Sequence, residues 1–496
     1  MTVPLAPFAR GPVLTVAGLI AALLLATSGR YGYFGDELYF LAAGRHLDWG
    51  YADQPPLLPL LALLMDTIAP GSVVVLRLPA ILATAAAVVL TALIAREFGG
   101  GRRAQLLAAG AVAVSSGFLG TGHYLATSTM DPFLWTLLLW LLVRWVRTRA
   151  DGLLLWAGLV TGVALNVKLL AGGFWVVAGI CLLAVGPKDL LRRPALWGGA
   201  AIAAVLVAPT LVWQTVNGWP QLEMSAAIAS EVSGAWGGRA LFVPAVLVAG
   251  AGLIVGAVLL CYGLWQLLRS PALRPWRFLG WTTVGLLLVF IAVSGRYYYL
   301  AGMFGVCWAA AAVRIEAGQP KRWWRWVATW PVYALSLVIT VPVTLPVLPE
   351  SWIGREIPQP AFAGGEIGWP ELTDSIAAQY HRLPPEQRAR TAVVTGMYWM
   401  ASAVEHYGPE RGVPAAYSGS RGFWTLHTPP ETADTVLYAG DDPAALHGSF
   451  RQVRQVGVVE TGHTGTLIPS GTPILLATGR TAPWSVLWPR FRNMEW

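Results

Sequence analysis

The feature that most restricts this chain is an alternation of long apolar runs with short basic clusters. A helix that crosses a bilayer needs about 20 mostly apolar residues. Runs of this kind occupy residues 11–27, 73–95, 104–119, 131–146, 153–167, 170–185, 195–212, 241–268, 278–293, 298–313 and 327–348. Basic residues follow every even-numbered run: Arg96, Arg102 and Arg103; Arg144, Arg147 and Arg149; Lys188, Arg192 and Arg193; Arg269, Arg274 and Arg277; Arg314, Lys321, Arg322 and Arg325. The loops after odd-numbered runs are poor in them, and 120–130 has no Lys or Arg at all. Because Lys and Arg collect in cytoplasmic loops, eleven helices with a cytoplasmic N-terminus satisfy the whole alternation.

Composition agrees. Only 12% of residues are charged, against about 25% in soluble domains. The net charge of +8 sits in the inter-helix clusters, so it argues for membrane topology and against nucleic acid as a partner. Cys181, Cys261 and Cys307 all lie inside apolar runs, with no C-x-x-C pair, and give neither a disulfide framework nor a metal knuckle. Arg10 followed by 11–27 is similar to a signal peptide; with ten more runs behind it, an uncleaved first helix is the expectation. The predicted fold class is therefore an all-α polytopic protein of the plasma (inner) membrane.

This orientation puts the loop 28–72 outside, together with everything beyond 348. Residues 1–348 form the predicted membrane domain. Residues 349–496 read as a small extracytoplasmic α/β domain, with helical patterns at 370–381 and 400–407 and a third around 443–446. Strand-like runs stand at 392–395, 435–438 and 456–458.

Ionisable groups at membrane depth are expensive and mark candidate sites. The outer loop opens with Asp36 and Glu37, two adjacent carboxylates suited to a general base and to a metal ligand or orienting group. The competing role is that of an N-terminal turn for a helix over 38–45. Asp53 and Gln54 precede Pro55 and Pro56, which end one helix and begin a surface-lying one at 57–65. His123 and Asp131 reach the same outer face, Asp131 at the start of the fourth helix, where a cap would serve as well as a site. Asn166 and Lys168 fall where the fifth helix ends outside, and a lysine there can also snorkel. Arg296 is the basic residue of an outer link that the topology rule disfavours, so anion binding is its rationale. Tyr297, Tyr298 and Tyr299 beside it suit an interfacial aromatic belt. Carboxylates and cations on the outer face suit a reaction on a membrane-embedded phosphate ester.

The run Gly35-Asp36-Glu37-Leu38-Tyr39-Phe40, followed by Gly50-Tyr51-Ala52-Asp53-Gln54-Pro55-Pro56-Leu57, resembles the first outer loop of GT-C glycosyltransferases. The closest resemblance is to family 39 and its relatives, the protein O-mannosyltransferases and lipid A aminoarabinose transferases. That resemblance implies inverting transfer from a polyprenyl-phosphate-linked sugar donor to a hydroxyl of a protein, lipid or glycan acceptor outside the membrane. It assigns Asp36 as general base, with Glu37 beside it in the catalytic pair. Lys168, Arg296 and Tyr297 are implied as binders of the donor phosphate. Asp53, Gln54, His123 and Asp131 would shape the site, and a divalent metal ion would sit on Glu37 and Asp53. No nucleotide-binding glycine loop is present and no nucleotide cofactor is expected. In the outer module, relatives carry Asn-Tyr-Gly-Glu-Ala and Ser-Gly-His-Asn where this chain has Met397-Tyr398-Trp399-Met400-Ala401 and Ser418-Gly419-Ser420-Arg421. An Asn, a Glu and a His are thus replaced, which weakens the case for a site in that module. Two other classes compete: a transporter or lipid flippase, and a non-catalytic envelope scaffold.

Overall fold

The computed structural model describes residues 5–494 except 236, 319–322, 358, 361 and 464. Lys321 and Arg322 lie outside the described residues. The chain divides into two units: one of Met1–Ser28, Arg77–Trp213 and Ile228–Leu345, the other of Gly29–Leu76, Gln214–Ala227 and Pro346–Trp496. The outer loop therefore clusters with the C-terminal residues, although the sequence grouped it with the membrane helices.

The first unit is helical. Among the described residues of the chain, six helices are long and apolar enough to cross a membrane, and up to eight if each of two bent pairs counts as one span. The six are Arg10–Thr27, Val73–Glu97, Thr127–Thr148, Pro194–Val216, Pro271–Ala292 and Tyr297–Gly318. Shorter apolar helices Gly152–Leu165, Leu170–Val185, Val255–Arg269 and Trp330–Thr344 occupy other expected runs.

Three expectations change. The run 104–119 is not one helix: Arg102–Ala113 and Ser116–Gly122 meet at a 58° bend. Ser115 makes the break, its Oγ accepting from Phe118 N–H (3.3 Å) and donating to the Gly250 carbonyl (2.8 Å). The run 241–268 is likewise interrupted, with Gly238–Ala245 and Val246–Ala251 preceding the separate helix Val255–Arg269. Gly252, at φ 105°, turns the chain between them. Residues 298–313 open with a tight 3₁₀ stretch, Tyr297–Met303, before the α-helix Phe304–Gly318.

Close approach of helices comes from small residues, as expected where no hydrophobic force separates protein from lipid. A methyl group on Gly263 would stand 1.8 Å from the Cys307 carbonyl oxygen. The half-buried Glu316 carboxylate accepts from Gly101 N–H (2.6 Å) and Ala104 N–H (3.1 Å), satisfying the start of Arg102–Ala113. Glu97, wholly buried, holds Arg147.

The second unit contains a five-stranded sheet in the order β2-β1-β3-β5-β4. The strands are β1 (Thr391–Thr395), β2 (Ala416–Ser418), β3 (Thr435–Ala439), β4 (Phe450–Val458) and β5 (Pro473–Arg480). β1 lies parallel to both β2 and β3, whereas β5 is antiparallel to β3 and β4. The helix Tyr398–Tyr407 forms the crossover between β1 and β2. One sheet face packs Val394, Val436 and Ala477 onto Trp484, Leu487 and Trp488; Val393, Leu437 and Leu476, at the alternate positions, are buried as well. The strands β2 and β5 were not expected, and the helix expected near 443–446 is a single 3₁₀ turn, Ala444–Leu446. The outer loop supplies two helices to this unit, Gly35–Arg45 and Leu57–Ile68.

Candidate active site

In the second unit the helix Gly35–Arg45 begins at Gly35, with Asp36 and Glu37 in its first turn. Two carboxylates suit that end of a helix electrostatically, but the structure gives them different work. Glu37 is completely buried and its Oε2 accepts from Phe34 N–H (2.9 Å), fixing the helix start. Asp36 points elsewhere. Its Oδ1 accepts from Tyr398 Oη (3.0 Å) and from Trp399 Nε1 (2.8 Å). Oδ2 makes no hydrogen bond among the described residues, so one oxygen lone-pair set stays available. Gly35 permits the arrangement: a methyl group there would lie 2.0 Å from the Trp399 ring.

A second layer surrounds this pair. Arg421 Nη1 donates to Tyr398 Oη (3.2 Å), and its guanidinium lies over the Tyr398 ring at 5.1 Å. Arg421 is 7% exposed and has φ 50°, a left-handed backbone that a side chain adopts only when its surroundings impose it. Its N–H donates to Asn493 O (2.7 Å), and Gly419 admits the Phe491 carbonyl where any Cβ would collide at 1.7 Å. The C-terminal segment thus holds Arg421 in place.

Asp53 Oδ1 accepts from Tyr39 Oη (2.9 Å), and Tyr39 packs edge-on against Tyr398. Burial lifts the Asp53 carboxyl to about 6, against the Tyr39 hydrogen bond and the Arg421 charge, which oppose the rise. The Asp36 charge adds to it. Burial raises Tyr39 and Tyr398 well above an ordinary phenol, so both stay protonated donors. Gln54 is buried beside Asp53; its backbone carbonyl closes the turn onto Tyr51 N–H (2.9 Å), and its side-chain nitrogen has no partner among the described residues. A buried donor of this kind suits an acceptor brought by a ligand.

The metal expectation placed an ion on Glu37 and Asp53. Glu37 spends an oxygen on its own helix start and Asp53 one on Tyr39. Among the described residues neither belongs to a group of three metal donors; that group is His46, Glu405 and His427.

The first unit holds the expected cations. Lys168 Nζ lies 3.9 Å from the centroid of the Tyr299 ring and 5.3 Å from that of Tyr298, and it acts electrostatically on Asp131. Asp131 does not start its helix, which begins four residues earlier at Thr127; it is buried in the second turn. Arg296 has an internal counter-ion that the sequence did not reveal: its Nη2 is 2.6 Å from Glu231 Oε2, with both side chains 11% exposed. Tyr297, next to it, is half-buried and packs edge-on against Tyr298. Arg239 reaches the same link, donating to Ala292 O (2.7 Å) and Ser294 Oγ (3.2 Å). His123 Nε2 accepts from the fully buried Arg77 (3.0 Å), which also donates to Ser28 O (2.7 Å). His123 is thus engaged in a buried structural bond. Asn166 ties helix ends together through Gly162, Leu206 and Thr210.

Tyr398, Trp399 and Arg421 were missed as site residues. Trp399 and Arg421 fall where the sequence departs from the pattern it resembles and Tyr398 keeps that pattern; the arginine between Ser420 and Gly422 was the available signal.

Solved structures share this architecture. The crystal structure of ArnT from Cupriavidus metallidurans bound to undecaprenyl phosphate matches with a TM-score of 0.59 and 16% identity, over 94% of this chain and 97% of that one. ArnT in the apo state matches at 0.60 and 14%, over 95% and 98%. Arabinofuranosyltransferase AftD from Mycobacteria matches at 0.52 and 16%, over 96% of this chain and 40% of that one. The chain is a multi-pass membrane protein with a GT-C fold, as the resemblance of its outer loop implied. Within that class, residues 53–213 match the family described as dolichyl-phosphate-mannose-protein mannosyltransferase. Asp36 lies ahead of the matched segment. No curated protein matches the chain in sequence.

Proposed function

We propose that this protein transfers a sugar from a polyprenyl-phosphate-linked donor to an acceptor hydroxyl on the extracytoplasmic side, with inversion and with Asp36 as general base. The observation that carries the reading is the Asp36 carboxylate, oriented through Oδ1 by Tyr398 and Trp399 while Oδ2 remains open. An acceptor hydroxyl is a weak nucleophile until a base takes its proton as the new bond forms. In a displacement at the anomeric carbon, that base stands on the attack side, opposite the leaving phosphate. The bond to the phosphate oxygen breaks, and the lipid phosphate departs with the electron pair.

Lys168 is proposed to stabilise the departing phosphate. Arg296 joins it as a cation already half-neutralised by Glu231, and Tyr297 flanks it. The match to a dolichyl-phosphate-mannose family and the fold shared with a protein crystallised with undecaprenyl phosphate support a lipid-phosphate donor. Eleven crossings, with the N-terminus inside and residues 349–496 outside, belong to the same proposal.

The test is a radiolabelled polyprenyl-phosphate-sugar assay on purified protein. Transfer by wild type and its loss in Asp36→Asn would support the reading. Equal transfer by a well-folded Asp36→Asn protein would overturn it.

A further inference from the structure

Away from Asp36, the second unit assembles three side chains that the proposed transfer does not use. His46 closes the C-terminal end of Gly35–Arg45, Glu405 lies in Tyr398–Tyr407, and His427 follows the 3₁₀ turn Arg421–Thr425. One potential ligand atom from each lies within 4.8 Å of the others. We infer that His46, Glu405 and His427 bind one divalent ion of the zinc class, fastening together the far ends of the two helices whose near ends form the Asp36 site.

The donor set is the first argument. Two imidazoles and a carboxylate suit zinc and leave a fourth position for water. Ligand atoms about 2.0–2.2 Å from a tetrahedral ion are roughly 3.3 Å apart, a contraction that rotation of the exposed His46 can supply. A cavity of about 260 Å³ lined by His46 and Glu405 adjoins the cluster and gives the fourth ligand room.

The second argument is orientation. His427 is held between the rings of Tyr417 (4.9 Å between centroids) and Phe423 (5.5 Å). Its Nε2 lies 2.7 Å from the Ala416 carbonyl and 3.1 Å from Glu405 Oε1. The carbonyl and the carboxylate can only accept, so in the metal-free protein Nε2 carries a proton that a bound ion would displace.

The third argument is placement. Asp36 meets Tyr398 and Trp399 at the start of each helix, and His46 meets Glu405 toward their other ends. An ion at the second position restrains the pair along its length and so fixes the register in which Asp36 finds its donors.

The experiment uses the full-length protein in detergent, purified with a non-histidine tag, stripped by chelator and titrated with Zn²⁺ by calorimetry and with Co²⁺ by visible absorption. One ion per chain is expected. His46→Ala and Glu405→Gln should each weaken affinity on the order of 10–100-fold or more, the scale seen when support for a metal ligand is removed. Zn²⁺ should raise the thermal midpoint of wild type and leave that of His46→Ala unchanged. His46 is exposed, so its variant folds even if His427→Ala does not. Binding equal to that of a His46→Ala/Glu405→Gln/His427→Ala protein would overturn the inference, as would binding unaffected by His46→Ala. The inference is independent of sugar transfer: zinc binding without transfer would sink only the proposed function, and transfer without zinc binding only this one.

Discussion

Asp36 was legible from its place beside Glu37 just past the first helix, but its partners were not. Tyr398 and Trp399 are 362 and 363 residues away along the chain, and no local pattern announces a bond of that span. The sequence showed an Asn, a Glu and a His replaced at nearby positions; the fold shows a phenol at 398 and an indole at 399 donating to Asp36. Asp36→Asn preserves shape and removes the base, so transfer should fall about 10²–10⁴-fold with donor affinity retained, measured as kcat and donor KM. Tyr398→Phe deletes one hydrogen bond to a charged group, worth about 1.5–3 kcal/mol, and should lower kcat roughly 10–100-fold with an unchanged donor KM. An equal loss in both parameters would make Tyr398 a packing residue only. Asp53 gives a pH test. Its folded-state pKa, about 6, lies above the ordinary carboxylate value because of burial. The folded protein therefore holds this proton more tightly than the unfolded chain. The resulting stabilisation is present at low pH and is lost as pH rises through about 6. Asp53→Asn still accepts from Tyr39 but does not ionise. Its thermal midpoint relative to wild type should rise between pH 4 and 6 and level off above, and a constant difference across that range would contradict the assignment.

At the level of elements, hydropathy located the helices but not their breaks. Ser115 and Gly252 interrupt runs whose average apolarity gives no hint of a corner, because one hydroxyl bond or one positive φ leaves window hydropathy almost unchanged. The strand β5 escaped for a related reason: buried on both faces at 474–477, it has no alternation to separate it from a short helix. Packing distances between helices are equally hidden in composition, since every glycine looks alike there. Gly263→Ala places a methyl group 1.8 Å from a backbone oxygen of the neighbouring helix, which cannot yield without moving that helix. Gly173→Ala meets nothing within 4 Å and should gain about 0.5–1 kcal/mol from helix propensity. The two substitutions are chemically identical, so detergent melting curves should separate them: Gly263→Ala lowered with poor yield, Gly173→Ala equal to or above wild type. Matching curves would mean that Val255–Arg269 and Phe304–Gly318 do not approach as closely as described.

For the whole molecule the topology turns on the segment at 220–251. Basic clusters alternate as eleven crossings require, yet Pro220–Ala235 is a helix that the apolar-run count did not include. If that helix and its continuation to Ala251 crossed the membrane, every later loop would change sides. Arg269, Arg274 and Arg277 would then face outward, and the residues after 348 would lie in the cytoplasm, apart from any lipid-linked sugar presented outside. The basic clusters disfavour this. So does the segment's own chemistry, since Glu231 pairs with Arg296 and Arg239 binds the link at Ala292 and Ser294. Charges committed to an outer link fit a pair that dips in and returns on one side. Reporter fusions decide between the two. Fusions at Gly218 and at Gly252 should both be active outside the cytoplasm, as should one after Leu348, whereas one at Arg103 should behave as cytoplasmic. An outside signal at Gly218 with a cytoplasmic one at Gly252 would make the segment a true crossing. A cytoplasmic signal after Leu348 would remove Tyr398, Trp399 and Arg421 from the side on which the proposed reaction runs.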